Sequence, residues 1–362
     1  MTSLDRQIRR FLRSVPGEET PLDVASVRIV RALGKSGLLR WCVPKAYGGM
    51  TPKIRLQALC AVRDELAYHS GLVDAMFAMQ GLGSMPVTLA GTTAQKREIL
   101  RPTAAGEAIG AFAITEPEAG SDVASMQATA RRRRGGYVID GVKQFISNAG
   151  IADYYTLFAR TGKRVSAFIV RKEWIEPGAI RTFNVMAPHP IGTLELQGCE
   201  VPARARLGRE GDGLRIAFAT LEAFRATVAA AACGLARRAL DEAVRYASRR
   251  RQFGRPLAKF QSVRFAVAEM ATELTSARLL VREAADAHDF GDDVNTLSAM
   301  AKLHATETAQ RIVDRAVQIH GGRGVVVGET VERLYREVRA LRIYEGTSEI
   351  LKLIVSNGML GK

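Results

Sequence analysis

The sequence predicts a multi-domain α+β protein built in the order helices, strands, helices. Three observations predict it. Apolar residues recur at helical spacing near the start, as in Leu22, Ala25, Ile29 and Leu33. Short runs broken by Gly, Pro, Asn and Asp follow from about Ala111 to Leu207, as in a small antiparallel β barrel or sandwich. Long amphipathic stretches with short breaks fill the remainder, as in a helical bundle. At 362 residues the chain exceeds the usual single-domain size. The expected domains are a helical N-terminal domain over 1–109, a middle β domain over 110–208 and a C-terminal helical bundle over 209–362.

The elements follow in order. Pro21–Ser36 reads as a helix, with Gly37 just past its end where a helix stops. Leu56–Leu66 and Ser84–Leu89 look similar, and Trp41–Gly49 is a turn broken by Pro44 and two glycines. The predicted strands are Ala111–Thr115, Tyr137–Asp140, Lys143–Ile146, Tyr155–Ala159, Ser166–Val170 and Gly192–Leu196. Arg131–Arg134, beside Gly135 and Gly136, reads as a hairpin loop with a solvated basic tip, and Arg171–Ile191 as irregular. Leu214–Ser248, Val263–His288, Asp293–Ile319 and Val331–Arg339 are the predicted long helices.

Composition narrows the function classes. The chain is 47% hydrophobic and 25% charged, which excludes a disordered or collagen-like protein. No run of about 18 apolar residues suggests a membrane span; the Ala-rich window Val228–Leu235 is short and is followed by Arg237 and Arg238. The opening MTSLDRQIRRFLRSV is charged throughout and lacks a signal-peptide core, so a cytoplasmic protein with no membrane partner is expected. Lys and Arg number 52 against 37 Asp and Glu, giving +15 and a surface that attracts polyanions. Cys42, Cys60, Cys199 and Cys233 are widely spaced without a CxxC, so buried reduced thiols are expected and no metal site.

Five segments carry chemistry. Phe112–Asp122 (FAITEPEAGSD) is a strand running into a Pro/Gly loop that presents hydroxyls and N–H groups to a planar polar ligand. In Phe145-Ile146-Ser147-Asn148 the aromatic and the hydroxyl share one strand face. Arg250–Pro256 (RRQFGRP), with Gln261 beyond it, offers guanidinium forks to phosphate oxygens. Gln318–Gly324 places glycines after a helix, where backbone can approach a ligand. Ile343–Ile350 (IYEGTSEI) sets Glu345 ahead of a glycine and a helix start, with Glu349 equally readable as a capping carboxylate.

In this order and spacing, with VPKAYGG ahead of them, the five segments resemble the acyl-CoA dehydrogenase family over nearly the whole chain. The resemblance implies a helical N-terminal domain, a middle β domain and a C-terminal four-helix bundle. It implies FAD as cofactor and oxidation of the Cα–Cβ bond of an acyl thioester: a carboxylate removes the α proton while hydride passes to flavin N5. Glu345 matches the family's base, within YEGT. The alternative base position, directly before Arg225, holds Phe224, which would crowd the acyl pocket.

The same resemblance places Phe112, Ile114, Thr115, Phe145 and Ser147 against the flavin ring. It gives Arg250, Phe253, Gln261, Gln318 and Gly322 to the FAD pyrophosphate and adenosine across a subunit interface, implying a homodimer or homotetramer, and Thr347 and Glu349 to further FAD contacts. Ser121, Phe224, Arg225, Tyr344 and Gly346 fall to the substrate. The thioester carrier is CoA or an acyl carrier protein, and the electron acceptor an electron-transfer flavoprotein or oxygen. Two other functions share these residues: a flavin-containing nucleic-acid-binding protein, favoured by charge but opposed by the intact YEGT, and an oxygen-using oxidase. His320 reads as a helix-end packing residue and His189 as a loop histidine without a named partner.

Overall fold

A computed structural model describes residues 3–13, 15 and 21–361. The other positions of the first and last expected domains lie outside the described residues. The helices are α1 (Ser3–Leu12), α2 (Leu22–Lys35), α3 (Leu56–His69), α4 (Gly71–Ala90), α5 (Thr93–Ala105), α6 (Gly213–Arg249), α7 (Gln261–Phe290), α8 (Asn295–His320), α9 (Thr330–Arg339) and α10 (Ser348–Leu360). The strands are β1 (Gly110–Ala113), β2 (Thr129–Arg133), β3 (Gly136–Ser147), β4 (Tyr154–Thr161), β5 (Arg164–Arg171), β6 (Ile180–Thr182), β7 (Ile191–Pro202), β8 (Arg206–Leu207), β9 (Arg251–Gln252) and β10 (Arg255–Pro256). Two compact units result: Met1–Arg55 with Ala75–Leu221, and Leu56–Asp74 with Glu222–Lys362.

In the first unit, α2 ends where its sequence predicts, with Gly37 left-handed at φ 78°. Helix α5, absent from the sequence reading, opens on a capping box of Thr92 and Gln95, and the Gln95 amide also donates to the carbonyls of Arg204 (2.7 Å) and Arg206 (2.9 Å). The strands lie in one sheet ordered β6-β7-β3-β2-β4-β5-β8, with β1 beside β4. Two pairings, β1–β4 and β2–β4, are parallel, where the pattern predicts antiparallel pairing throughout. A parallel pair needs a long crossover, and the segment that carries β2 and β3 supplies it. The predicted strands at 137–140 and 143–146 are one strand, β3, with register shifts between Ile139 and Gly141 and between Lys143 and Ile146. Strand β6 forms inside the segment read as irregular.

The arginine run is partly strand: Arg131–Arg133 end β2, while Arg134 and Gly135 form the turn of the β2–β3 hairpin, and all four arginines are exposed. Arg131 and Arg132 pair in register with Val138 and Tyr137 of β3, because Ala130 and Tyr137 bury their side chains and set the alternation. The arginines are also ion-paired: Arg131 with Asp140 and Arg132 with Glu210, each at 2.8 Å, and Arg133 with Glu200. Deeper in the unit, Lys143 and Glu116 form a buried ion pair at 2.7 Å, and Lys143 Nζ also donates to the Ile114 carbonyl at 3.1 Å. Glu116 accepts the N–H groups of Gln127 and Ala128. The pair ties the loop after β1 to β3, and burial pulls the Lys143 ammonium down against the opposing pull of Glu116.

The second unit is helical, and it takes in α3 from the expected N-terminal domain. Helix α8 packs against α7, α9 and α10, and α3 against α7. Asp289, in the last turn of α7, accepts the N–H of Leu56 at 2.7 Å and so caps α3 from another helix. Helix α6 is long and apolar enough to cross a membrane by length and composition alone, but 78% of its apolar window is buried in the protein, as in a core helix. Most of its alanines, including Ala229–Ala232, Ala236 and Ala239, are buried, as befits a core helix in close contact with its neighbours. At Gly234 an added Cβ would lie 2.1 Å from the Asp64 carbonyl oxygen of α3. Gly234→Ala is therefore expected to lower stability by about 1–3 kcal/mol despite alanine's better helix propensity, read as a lower midpoint in urea. An unchanged midpoint would show that α3 and α6 can separate freely. All four cysteines are buried thiols outside any disulfide.

Candidate active site

Left-handed backbone coincides with several residues to which the resemblance assigns a role. Four non-glycine residues among those described are left-handed: Phe145 (φ 57°), Asn148 (66°), Phe253 (48°) and Glu345 (54°). Three are residues to which the resemblance assigns a role, and Asn148 adjoins a fourth, Ser147. Such conformations cost about 1–3 kcal/mol each and persist only where their surroundings enforce them.

Glu345 lies between the short 3₁₀ turn Ala340–Arg342 and α10. Thr347 caps α10, accepting the Ile350 N–H at 3.3 Å, and Gly346 is left-handed at φ 98°. The Glu345 Oε2 atom is buried and has no hydrogen-bond partner. Burial raises the carboxyl above the ordinary range, against the opposing charges of Arg63, Lys302 and Arg225. Arg63 is 2% exposed and holds Asp74 through two bonds of 2.9 and 2.7 Å, with a third at 2.9 Å to the Thr227 hydroxyl. Tyr344 hydrogen-bonds Arg63, and burial pushes its phenol up. Arg225 donates to Asn295 at 2.9 Å and leaves its Nε buried and unpartnered. Phe224, at the alternative base position, is a buried side chain of α6.

Sequence reasoning missed Arg63, Asp74 and Lys302. The available signal was a charge within an apolar helical stripe: Arg63 among Leu59, Val62 and Leu66, and Lys302 among Ala299, Ala301 and Ala305.

The first unit gathers the five residues assigned to a flavin ring on β1, β3 and the loop after β1. Phe112 and Ile114 are buried, and Phe112 packs on Phe158 with ring centroids 5.0 Å apart. The Thr115 carbonyl accepts the Gln144 N–H at 2.9 Å. Phe145 is 58% exposed and meets only the edge of Phe183 among its aromatic neighbours, at 5.7 Å. The Ser147 hydroxyl lies 3.0 Å from His189 Nε2, while His189 Nδ1 lies 2.9 Å from the Ala187 carbonyl. A carbonyl only accepts, so Nδ1 carries the proton. Burial keeps the ring neutral, and Nε2 accepts from Ser147. Ser121 is exposed in its loop.

In the second unit, Arg250, Phe253, Gln261, Gln318 and Gly322 are all exposed. Phe253 is 91% exposed, at the tip of the β9–β10 hairpin. His320 stacks on Tyr246 with centroids 4.3 Å apart, which brings the C-terminal ends of α6 and α8, and so Arg250 and Gln318, to the same end of the unit. Glu349 is exposed and held low by its own backbone N–H and by Thr347.

Three family descriptions match the chain: the acyl-CoA dehydrogenase N-terminal domain over 4–107, the middle domain over 111–199 and the C-terminal domain over 211–360. An acyl-CoA dehydrogenase of Bacillus subtilis (strain 168) is 39% identical, over 98% of this chain and 97% of that protein. The structure of butyryl-CoA dehydrogenase from Megasphaera elsdenii superposes with a TM-score of 0.90 at 32% identity, over 99% of both chains. An acyl-CoA dehydrogenase from Bacillus anthracis complexed with FAD superposes at 0.91 and 30% identity, over 100% of this chain and 68% of that one. The chain belongs to the acyl-CoA dehydrogenase family, FAD flavoproteins that act as oxidoreductases on acyl-CoA.

Proposed function

We propose that this protein carries out the FAD-dependent α,β-dehydrogenation of an acyl thioester, with Glu345 as the base. The observation that carries the reading is the Glu345 carboxyl: one oxygen buried without a partner, on strained backbone, among three cationic side chains. A carboxylate so desolvated is a stronger base than one in water.

The residues present fit FAD. The Phe145 ring is turned outward on a left-handed backbone that core packing alone does not require. Glycines 254, 321 and 322 stand where an added Cβ meets nothing, leaving room for a ligand's approach. Phe112, Ile114, Thr115, Phe145 and Ser147 would hold the flavin ring. Arg250, Phe253, Gln261, Gln318, Gly322, Thr347 and Glu349 would hold the remainder. Bound FAD supplies the two-electron acceptor for the hydride that leaves Cβ.

Glu345 takes the α proton, so negative charge passes from its carboxylate to the thioester. Arg63, Lys302 and Arg225, set against Asp74, leave the surroundings net positive for both distributions of that charge. Tyr344, Gly346, Ser121, Arg225 and Phe224 belong to substrate binding in this reading, with Phe224 shortening the acyl space. The Ser147 hydroxyl donates its hydrogen bond to His189, so its oxygen is left as an acceptor.

The carrier is CoA, with an acyl carrier protein as the alternative that the +15 charge favours. The acceptor is an electron-transfer flavoprotein or oxygen, the location cytoplasmic, and the working form a homodimer or homotetramer, which exposed Phe253, Val327 and Met359 support. A nucleic-acid role draws less support, because arginines 131–133 are neutralised by their own acidic partners.

Anaerobic titration with a panel of acyl-CoAs and carrier-bound acyl groups tests the reading. Loss of the flavin absorbance band is expected with at least one thioester. A flavin that no thioester bleaches would overturn it. Peroxide formed on readmitting air would mark oxygen as the acceptor.

A further inference from the structure

We propose that Lys302 is the positioning residue of the Glu345 base: its ammonium group grips the backbone on both sides of Glu345 and serves as the counter-charge of the carboxylate. The proposal rests on the reading of Glu345 as the base. Lys302 lies on α8 and is 0% exposed. Its Nζ donates to the carbonyl oxygens of Tyr344 at 2.7 Å and Gly346 at 2.5 Å. These are the residues immediately before and after Glu345. The Tyr344 carbonyl belongs to the peptide that enters Glu345 and the Gly346 carbonyl to the peptide that leaves the glycine, so one ammonium pins the backbone on both sides of the base, whose φ is left-handed at 54°. A compact ammonium with three donors suits this task.

A buried ammonium also needs an opposite charge. The charged and titratable groups around the pair are Arg63 on α3, Asp74 on α4, Glu222 and Arg225 on α6, Glu307 on α8, and Tyr344. Asp74 is taken by Arg63. Glu307 is taken by Arg342 at 2.9 Å and by the Ser348 hydroxyl at 2.6 Å. Glu222 acts on Arg225. Glu345 is the carboxylate left for Lys302, and it is the leading opposite charge acting on it. Burial draws Lys302 down to about 8 and raises Glu345, and each charge holds the other ionised.

Lys302→Met, close in shape but uncharged, tests this in the full-length, FAD-loaded protein. Two readouts are compared with wild type: amide hydrogen exchange of the peptide spanning 343–348 without substrate, and the pH profile of anaerobic flavin reduction by the thioester that best bleaches wild type. Exchange in that peptide should rise on the order of ten-fold as the clamp is lost. The acid limb of the profile should move up by about one pH unit, because Glu345 has lost a nearby positive charge. An alkaline limb near pH 8, where Lys302 loses its proton in wild type, should be absent from the variant. Unchanged exchange or an unchanged profile overturns the proposal.

If no thioester bleaches even wild type, the dehydrogenase reading falls, and exchange alone judges the clamp: a rise supports it and no change overturns it. If Lys302→Met does not fold, Lys302→Met with Glu345→Gln removes both charges. Recovery of the fold supports the pairing, and failure to recover overturns it.

Discussion

Glu345→Gln is expected to keep FAD bound at wild-type stoichiometry and to lose flavin reduction by substrate by about 10²–10⁴-fold, the usual range for removing a general base. Glutamine keeps the size and the backbone position, so the loss isolates the proton acceptor. Wild type should also show the sign of the pKa shift. Only the carboxylate accepts a proton, and burial raises its pKa. The reduction rate should therefore fall as pH drops through a value above the ordinary carboxylate pKa of about 4.3. Stopped-flow reduction across pH measures both effects. Substantial reduction retained by the glutamine variant would remove Glu345 from the chemistry.

Arg63→Leu is expected to cost about 3–5 kcal/mol of stability, because it leaves the Asp74 carboxylate buried and unpaired. That is a large share of the roughly 5–15 kcal/mol that a domain usually has. Asp74→Leu alone should do similar damage by stranding the guanidinium. The double replacement should recover most of the loss, since a buried pair exchanged for apolar side chains is often near neutral. Urea unfolding of the three variants closes this cycle. If the single losses simply add in the double variant, the pair is not the unit of stability that its bidentate geometry implies.

Much of the fold was legible in the chain. The periodicity around Leu22 and Ile29, and the stop at Gly37, return as α2 almost to the residue. The long apolar stripes of α6, α7 and α8 return within a few positions. What the pattern could not carry is which distant segments meet. The parallel pairing of β1 with β4 leaves no local mark, and neither does the packing of α3 with the C-terminal helices. The strand at 129–133 was hidden because a run of exposed arginines looks like a loop. At the candidate site, Glu345 stands out through its motif, but the cations around it come from α3, α6 and α8 and are joined only by folding. His189 has the same history: its partner Ser147 lies 42 positions away in the chain.

The left-handed residues have a consequence for engineering. At Phe145 and Phe253, both exposed, glycine would relieve backbone strain, so each is a position where a glycine replacement can raise the melting temperature. A library selected for heat resistance alone would drift toward glycine at these two places, to both of which the resemblance gives a cofactor role. It would yield hardier proteins stripped of two rings meant for the cofactor, so heat selection on this scaffold has to be coupled to a catalytic screen.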